Sequence, residues 1–210
     1  MKPIKRTILA LFVGLLLGTV PASAMDVRVN AETIYMVGPV QGQDYHRFMR
    51  VFNASVRRVV FTNSPGGDLD ATYNVAEEIR MRKLETVVKG YCRSACALMF
   101  LGGVARRLAD AKSYVAFHAG YGSNMGTPTP RQYGRIGRLL AEMTDGKLSD
   151  ALAEIILQKR RNGFVYFYRD RTYNCDGTEP KRPSGCGNIP ETAMEQGIIT
   201  SLDDVEVSEK

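Results

Sequence analysis

A serine and a histidine, Ser94 in Gly90-Tyr-Cys-Arg-Ser-Ala-Cys-Ala97 and His118 in Phe117-His-Ala-Gly-Tyr-Gly122, have the side-chain types and the setting for nucleophilic catalysis. A serine hydroxyl is inert at its ordinary pKa and needs an adjacent base, and imidazole accepts a proton readily near neutrality. Upstream, Asn63-Ser-Pro-Gly-Gly67 is a glycine turn whose bare backbone can bring N–H groups close to a developing oxyanion. Together the segments spell acyl transfer, with Ser94 as nucleophile, His118 as general base, and an oxyanion hole built from the Ala95 N–H and an N–H of Gly66 or Gly67. Each group also has an ordinary role to set against this. Ser94 can be a helix N-cap, His118 a histidine satisfied by backbone at a strand end, and the glycines a simple tight turn. The other histidine, His46, lies in a polar helical stretch with Arg47 and Arg50 and reads as a solvated surface residue.

The elements that must position these groups alternate between strand and helix. Thr33–Val37 has the β-branched and aromatic content of a buried strand, ended by Gly38-Pro39. Helical spacing runs from about Asp44 to Phe52, and Arg58–Thr62 is a strand leading into the glycine turn. Asp68 caps a helix over about Leu69 to Arg82 that places Tyr73, Val75, Ala76 and Ile79 on one side. Thr86–Val88 predicts a third strand, Ser94–Leu101 a short apolar helix, and Ser113–Phe117 a fourth strand ending at His118. Pro130 opens a helix, a second spans about Leu148 to Lys159, and a short helix and strand are expected near Pro190 to Ile199. Such alternation predicts an α/β fold with right-handed crossovers and a site at the carboxyl ends of parallel strands. Gly120, Gly122 and Gly126 keep the loop after His118 free of bulk, room enough for a substrate strand.

Export is written at the front of the chain. Lys2, Lys5 and Arg6 precede an apolar run from Ile8 to Val20 and then Ala22-Ser-Ala24, the charge, length and exit sequence of a signal peptide. The run is well short of the ~20 residues needed to span a bilayer. Residues 1–24 are therefore expected to be cleaved, leaving 25–210 as one domain with no stable membrane span and a periplasmic or secreted bacterial location. Losing Lys2, Lys5 and Arg6 lowers the net charge from +6 to +3, which removes the compositional case for nucleic-acid binding. In an oxidising compartment four cysteines are expected as disulfides, zinc ligation being the alternative. A Cys175–Cys186 bridge would staple the Gly- and Pro-rich stretch between them, by about 3 kcal/mol on loop-closure entropy. Cys92 and Cys96 then pair by elimination; a small buried core residue is the other reading of Cys96.

Ile34-Tyr-Met-Val-Gly38, Asn63-Ser-Pro-Gly-Gly67, Gly90-x-x-x-Ser94-Ala95, Arg106-Arg107, Phe117-His118, Arg169-Asp170 and Ala193-Met-Glu-Gln-Gly-Ile-Ile199 follow one another in the order of the Clp-type serine peptidases. Over about Thr33 to Leu202 the chain resembles the Clp-protease/crotonase-like superfamily and looks like an exported relative. That resemblance implies an α/β spiral of stacked ββα units with a mainly parallel sheet in a single domain. It also implies a Ser-His-Asp triad, in which Ser94 matches the nucleophile, His118 the base and Asp170 the third member. One departure is plain. The cysteine-rich loop from Asn174 to Gly187 lies between Asp170 and the closing Ala193–Ile199 segment, where the cytosolic family has almost nothing. Asn174 and Asp176 are then further candidates, a bare Ser-His dyad is another arrangement, and an ion pair with Arg169 or Arg171 is the non-catalytic role of Asp170.

The expected activity is hydrolysis of peptides or unfolded segments through an acyl-enzyme, without cofactor or metal and without an ATP-driven partner. A homo-oligomer is expected through the apolar surface of Tyr133 to Ile156. Three other readings remain. A serine-lysine mechanism would need Lys89 or Lys112 beside Ser94, acyl-CoA chemistry would need a cytosolic cofactor, and a scaffold with a lapsed site would act as a periplasmic binding or assembly protein.

Overall fold

The computed structural model describes residues 24–118, 130–159, 163–176 and 185–207. All but the last residue of the expected signal peptide, the glycine loop after His118 and most of the stretch between Cys175 and Cys186 lie outside the described residues. The chain opens with β1 (Asp26–Asn30), β2 (Thr33–Val37), α1 (Asp44–Val51), β3 (Arg58–Ser64), α2 (Leu69–Met81) and β4 (Glu85–Arg93). It continues with α3 (Ala95–Leu101), β5 (Ala105–Leu108), β6 (Tyr114–Phe117), α4 (Pro130–Met143) and α5 (Asp150–Gln158). β7 (Phe164–Phe167), β8 (Thr172–Cys175) and β9 (Cys186–Ile189) close it. Among the described residues the strands form one nine-stranded sheet in the order β1-β2-β3-β4-β6-β7-β8-β9, with β5 also paired to β4.

Alternation along the strands decides which face is covered by what. Ile34, Met36, Val59, Phe61, Val88, Val115, Phe117, Val165 and Phe167 point to the helical side and join the main core. Tyr35, Val60 and Val87 point the other way and are covered by Val205 of the C-terminal segment. All seven residues of α3 are buried, so the helix that follows Ser94 runs through the middle of the molecule. Local sequence sets the helix starts: Asp68 accepts from Ala71 N–H at the head of α2, and Ser149 accepts from Leu152 N–H at the head of α5.

The α/β architecture is the expected one, and its parallel strands form the centre of the sheet, where β2-β3-β4 pair with one another and β4 with β5 and β6. Toward the edges β1-β2, β6-β7, β7-β8 and β8-β9 pair antiparallel. Connection length accounts for part of this. Helices α2 and α3 provide crossovers long enough to return a strand in parallel, whereas between β7 and β8 Tyr168 N–H meets Arg171 O at 2.9 Å, a tight turn that can only reverse the chain. β7 follows α4 and α5 and still runs antiparallel to β6, so length does not set its direction. One expectation needs correction. The region around Pro190 to Ile199 is a run of turns rather than a helix and strand, with Gln196 N–H on Thr192 O and Ile198 N–H on Ala193 O.

These turns are held by Arg106, which is 1 % exposed. Its guanidinium donates to the carbonyls of Gly103, Gly197 (2.8 Å) and Ile198 (3.1 Å), and its backbone exchanges bonds with Thr200. Burial, with Arg80 adding repulsion, pulls the guanidinium down to about 10, so it remains charged at neutral pH. Arg106→Ala strands three carbonyls and opens a cavity, and denaturant unfolding is expected to show a loss of about 3–4 kcal/mol. A loss below about 1 kcal/mol would mean that these bonds are not what ties the C-terminal segment down.

Candidate active site

The glycine turn follows β3, Ser94 follows β4 and His118 follows β6. Because β3, β4 and β6 are adjacent and parallel, their carboxyl ends lie side by side, and three segments distant in sequence meet there.

Ser94 Oγ lies 2.5 Å from His118 Nε2. Ser94 does occupy the N-cap position of α3, but its side chain makes no capping bond. The Ser94 carbonyl takes the usual opening bonds of the helix, from Ala97 N–H at 3.0 Å and Leu98 N–H at 3.4 Å. The hydroxyl is thus left for the imidazole. Ser94 has φ 55° and ψ −125°, a conformation that costs an L-residue about 1–3 kcal/mol and persists only where its surroundings impose it. Those surroundings are identifiable. Ser94 N–H donates to Ala116 O of β6 at 2.8 Å, and the Cys92–Cys96 disulfide straddles the turn with both residues fully buried. Gly66 packs so tightly behind it that a Cβ there would lie 2.6 Å from Arg93 O and 2.8 Å from Ser94 Cβ.

The two glycines have different jobs. Val40 N–H donates to Gly66 O at 2.9 Å and Asp68 N–H donates to Val40 O at 3.1 Å, forming a parallel bridge around Gly67. Across the trans Gly66–Gly67 peptide the carbonyl and the N–H point in opposite directions. Because the Gly66 carbonyl accepts from Val40 N–H, the Gly67 N–H faces away from Val40. Gly66 N–H is already donated to Ser64 Oγ at 3.3 Å. The second donor on offer is Ala95 N–H, the first of α3, which has no acceptor inside its own helix.

A family model of the Clp protease matches residues 25–136, a little over half of the chain. The chain belongs to the Clp protease family. Among solved structures it is similar to a mutant ClpP1 from Listeria monocytogenes, at 16% identity and TM-score 0.54 over 81% of this chain and 90% of that one. It is also similar to a mutant of the 1510-N membrane-bound stomatin-specific protease, at 16% identity and TM-score 0.52 over 79% of this chain and 75% of that one. A comparison with curated proteins finds no match. At such low identity these structures speak for the fold, and this Clp protease family member has the single-domain α/β fold that the resemblance implied.

Asp170, the third triad member that the motif suggested, is not brought to this pair. It sits in the β7–β8 turn, bonded to Arg171 at 2.8 Å, so its ion-pair role holds. His118 instead neighbours Phe164, at the other end of β7. Four strand residues, about 13 Å, separate that position from the turn, so Asp170 does not reach the imidazole. Asp176 is bonded to Lys159 at 2.7 Å and points into solvent. Asn174 pairs with Val165 and so projects to the face opposite Phe164.

Phe164 is the neighbour that sequence reading missed, its ring 4.4 Å from that of His118 centroid to centroid. The run Phe164-Val-Tyr-Phe167 carries a strand signal that could have revealed β7. Val40 had no such signal, since its contribution is made by backbone atoms alone. His46 is exposed, as its polar neighbours indicated. The four cysteines form Cys92–Cys96 and Cys175–Cys186, which leaves no thiolate among them for zinc. The second bridge joins paired residues of β8 and β9, so its cysteines lie in strands and not in loop. Among the described residues no helix is long and apolar enough to cross a membrane.

Proposed function

We propose that the chain is an exported serine peptidase that cleaves peptides or unfolded segments through an acyl-enzyme. The supporting observation is the 2.5 Å contact of Ser94 Oγ with His118 Nε2, made by a serine whose side chain declines the capping role open to it. Ser94 Oγ attacks the scissile carbonyl carbon as its proton passes to His118 Nε2, and the carbonyl oxygen becomes an oxyanion. The N–H groups of Gly67 and Ala95 receive that charge, and because they are backbone dipoles already in place, little reorganisation is needed at the moment of reaction. Collapse of the intermediate breaks the C–N bond, and the departing amine takes the proton from His118. Water then repeats the sequence on the ester and frees Ser94. Phe164 packed on the ring narrows the orientations open to the imidazole.

Export is supported by the signal-like residues 1–24 and by two formed disulfides, which persist in oxidising compartments. Self-association through α4 and α5 and peptide-like substrates are the partner expectations that follow from the family.

A serine-directed fluorophosphonate probe tests the assignment on the oxidised protein. Wild type is expected to be labelled and Ser94→Ala not, with unfolding midpoints alike. Folded, disulfide-intact wild type that takes up no label would favour the binding or assembly scaffold instead.

A further inference from the structure

We propose that Asp44 is a positioning residue for the oxyanion hole, holding from behind the segment that aims the Gly67 N–H. The proposal rests on the serine-peptidase reading above. Asp44 is the first residue of α1 and its carboxylate is 0 % exposed, while Tyr45 is half-buried and His46 exposed. A carboxylate opening a helix is ordinarily left in water near the free N–H groups, and one wholly withdrawn from solvent must be held by donors. Its donors are Gln41 N–H, 2.6 Å from Oδ2, and Arg47 Nη1, 2.8 Å from Oδ1. Arg47 itself also reaches Met25 O at 3.5 Å.

Gln41 directly follows Val40, the residue whose N–H and carbonyl bracket Gly67. The Asp44 carboxylate is thus joined through the Gln41 N–H and the Val40 backbone to Gly66 O and Asp68 N–H, and so to the direction of the Gly67 N–H. Little slack exists at the last joint, because a Cβ built on Gly67 would lie 2.1 Å from Val40 O. The segment is not stiff on its own account. Glycines stand at 38 and 42, and Gly38 has φ +96°. With the carboxylate gone, Gln41 N–H loses its acceptor and Arg47 its counter-charge, and Val40 is free to drift from the glycine turn. Nothing in this role brings Asp44 to the substrate; it acts through the backbone.

Fluorophosphonate labelling kinetics on the full oxidised chain, resolved into kinact and KI, test this. Asp44→Ala is expected to lower kinact about 10-fold, a fraction of what deleting an oxyanion donor costs, with KI changed less than about twofold. Asp44→Asn keeps an acceptor for Gln41 N–H and is expected to restore kinact to within about threefold of wild type. Gln41→Pro removes the donor while leaving Asp44 and Arg47 in place, should repeat the alanine loss, and decides the matter if Asp44→Ala fails to fold. A merely structural role predicts a lower unfolding midpoint with unchanged kinact in the folded protein, and that result overturns the proposal. So does an asparagine variant that is folded and labels as slowly as alanine. If wild type itself is not labelled, the peptidase reading falls and this inference with it, a failure distinct from a labelled wild type that is indifferent to residue 44.

Discussion

Exchanging His118 for alanine is expected to slow acylation of Ser94 about 10⁴-fold or more while the fold survives, the scale on which serine hydrolases lose rate when the base of the pair is removed. The hydroxyl then keeps its proton at neutral pH, and the Gly67 and Ala95 N–H groups can stabilise an oxyanion only after something has attacked to create it. The side chain is half-buried against Phe164, so its loss leaves a shallow gap and not a core cavity. Labelling rate and thermal midpoint measured on the same preparation separate chemistry from stability. A folded alanine variant that labels within about tenfold of wild type would show that the base is some other group, and the assignment of His118 would be lost.

Gly67→Ala is expected to be the most damaging small change at the site. Two constraints act at once: φ is +151°, outside the region an L-residue adopts, and the added Cβ would lie 2.1 Å from Val40 O and 2.9 Å from Val40 C. Both neighbours are backbone atoms, so no side-chain rotation relieves the overlap. The Val40 bridge must open, and the Gly67 N–H turns away from the site with it. Losing one oxyanion donor costs roughly 10²–10³ in kcat, and that range is the expected fall in labelling rate. Gly134→Ala provides the contrast. Nothing lies within 4 Å of its Cβ position in α4, so the helix should gain about 0.5–1 kcal/mol with labelling unchanged. If Gly67→Ala labels like Gly134→Ala, the oxyanion hole does not use residue 67.

Much of the fold was legible in the sequence because most of its helices and several central strands follow local rules. The stretches read as strands over 33–37, 58–62 and 113–117, and as helices over 44–52 and 69–82, match β2, β3, β6, α1 and α2 to within a residue or two. β7 had its Phe-Val-Tyr-Phe signal, but β8 (Thr-Tyr-Asn-Cys) and β9 (Cys-Gly-Asn-Ile) are too short and too mixed to stand out from the Gly- and Pro-rich stretch that joins them. Asp170 misled for a related reason. An Arg-Asp pair at the expected distance along the chain says nothing about the direction in which the strand before it runs, and β7 runs antiparallel to β6.

From residues and spacing alone came the nucleophile and base candidates, the glycine turn, the cysteine pairs and the family resemblance, since each depends on side-chain chemistry or on short-range conformational preference. The fold alone could decide which glycine N–H is already taken and which stays clear of Val40, that the serine leaves its helix uncapped, that Asp170 stands at the far end of β7 from His118, and that the Asp44 carboxylate holds the N–H next to Val40. Those are properties of hydrogen-bond direction between strands remote in sequence, and no local pattern encodes the direction in which a backbone N–H points.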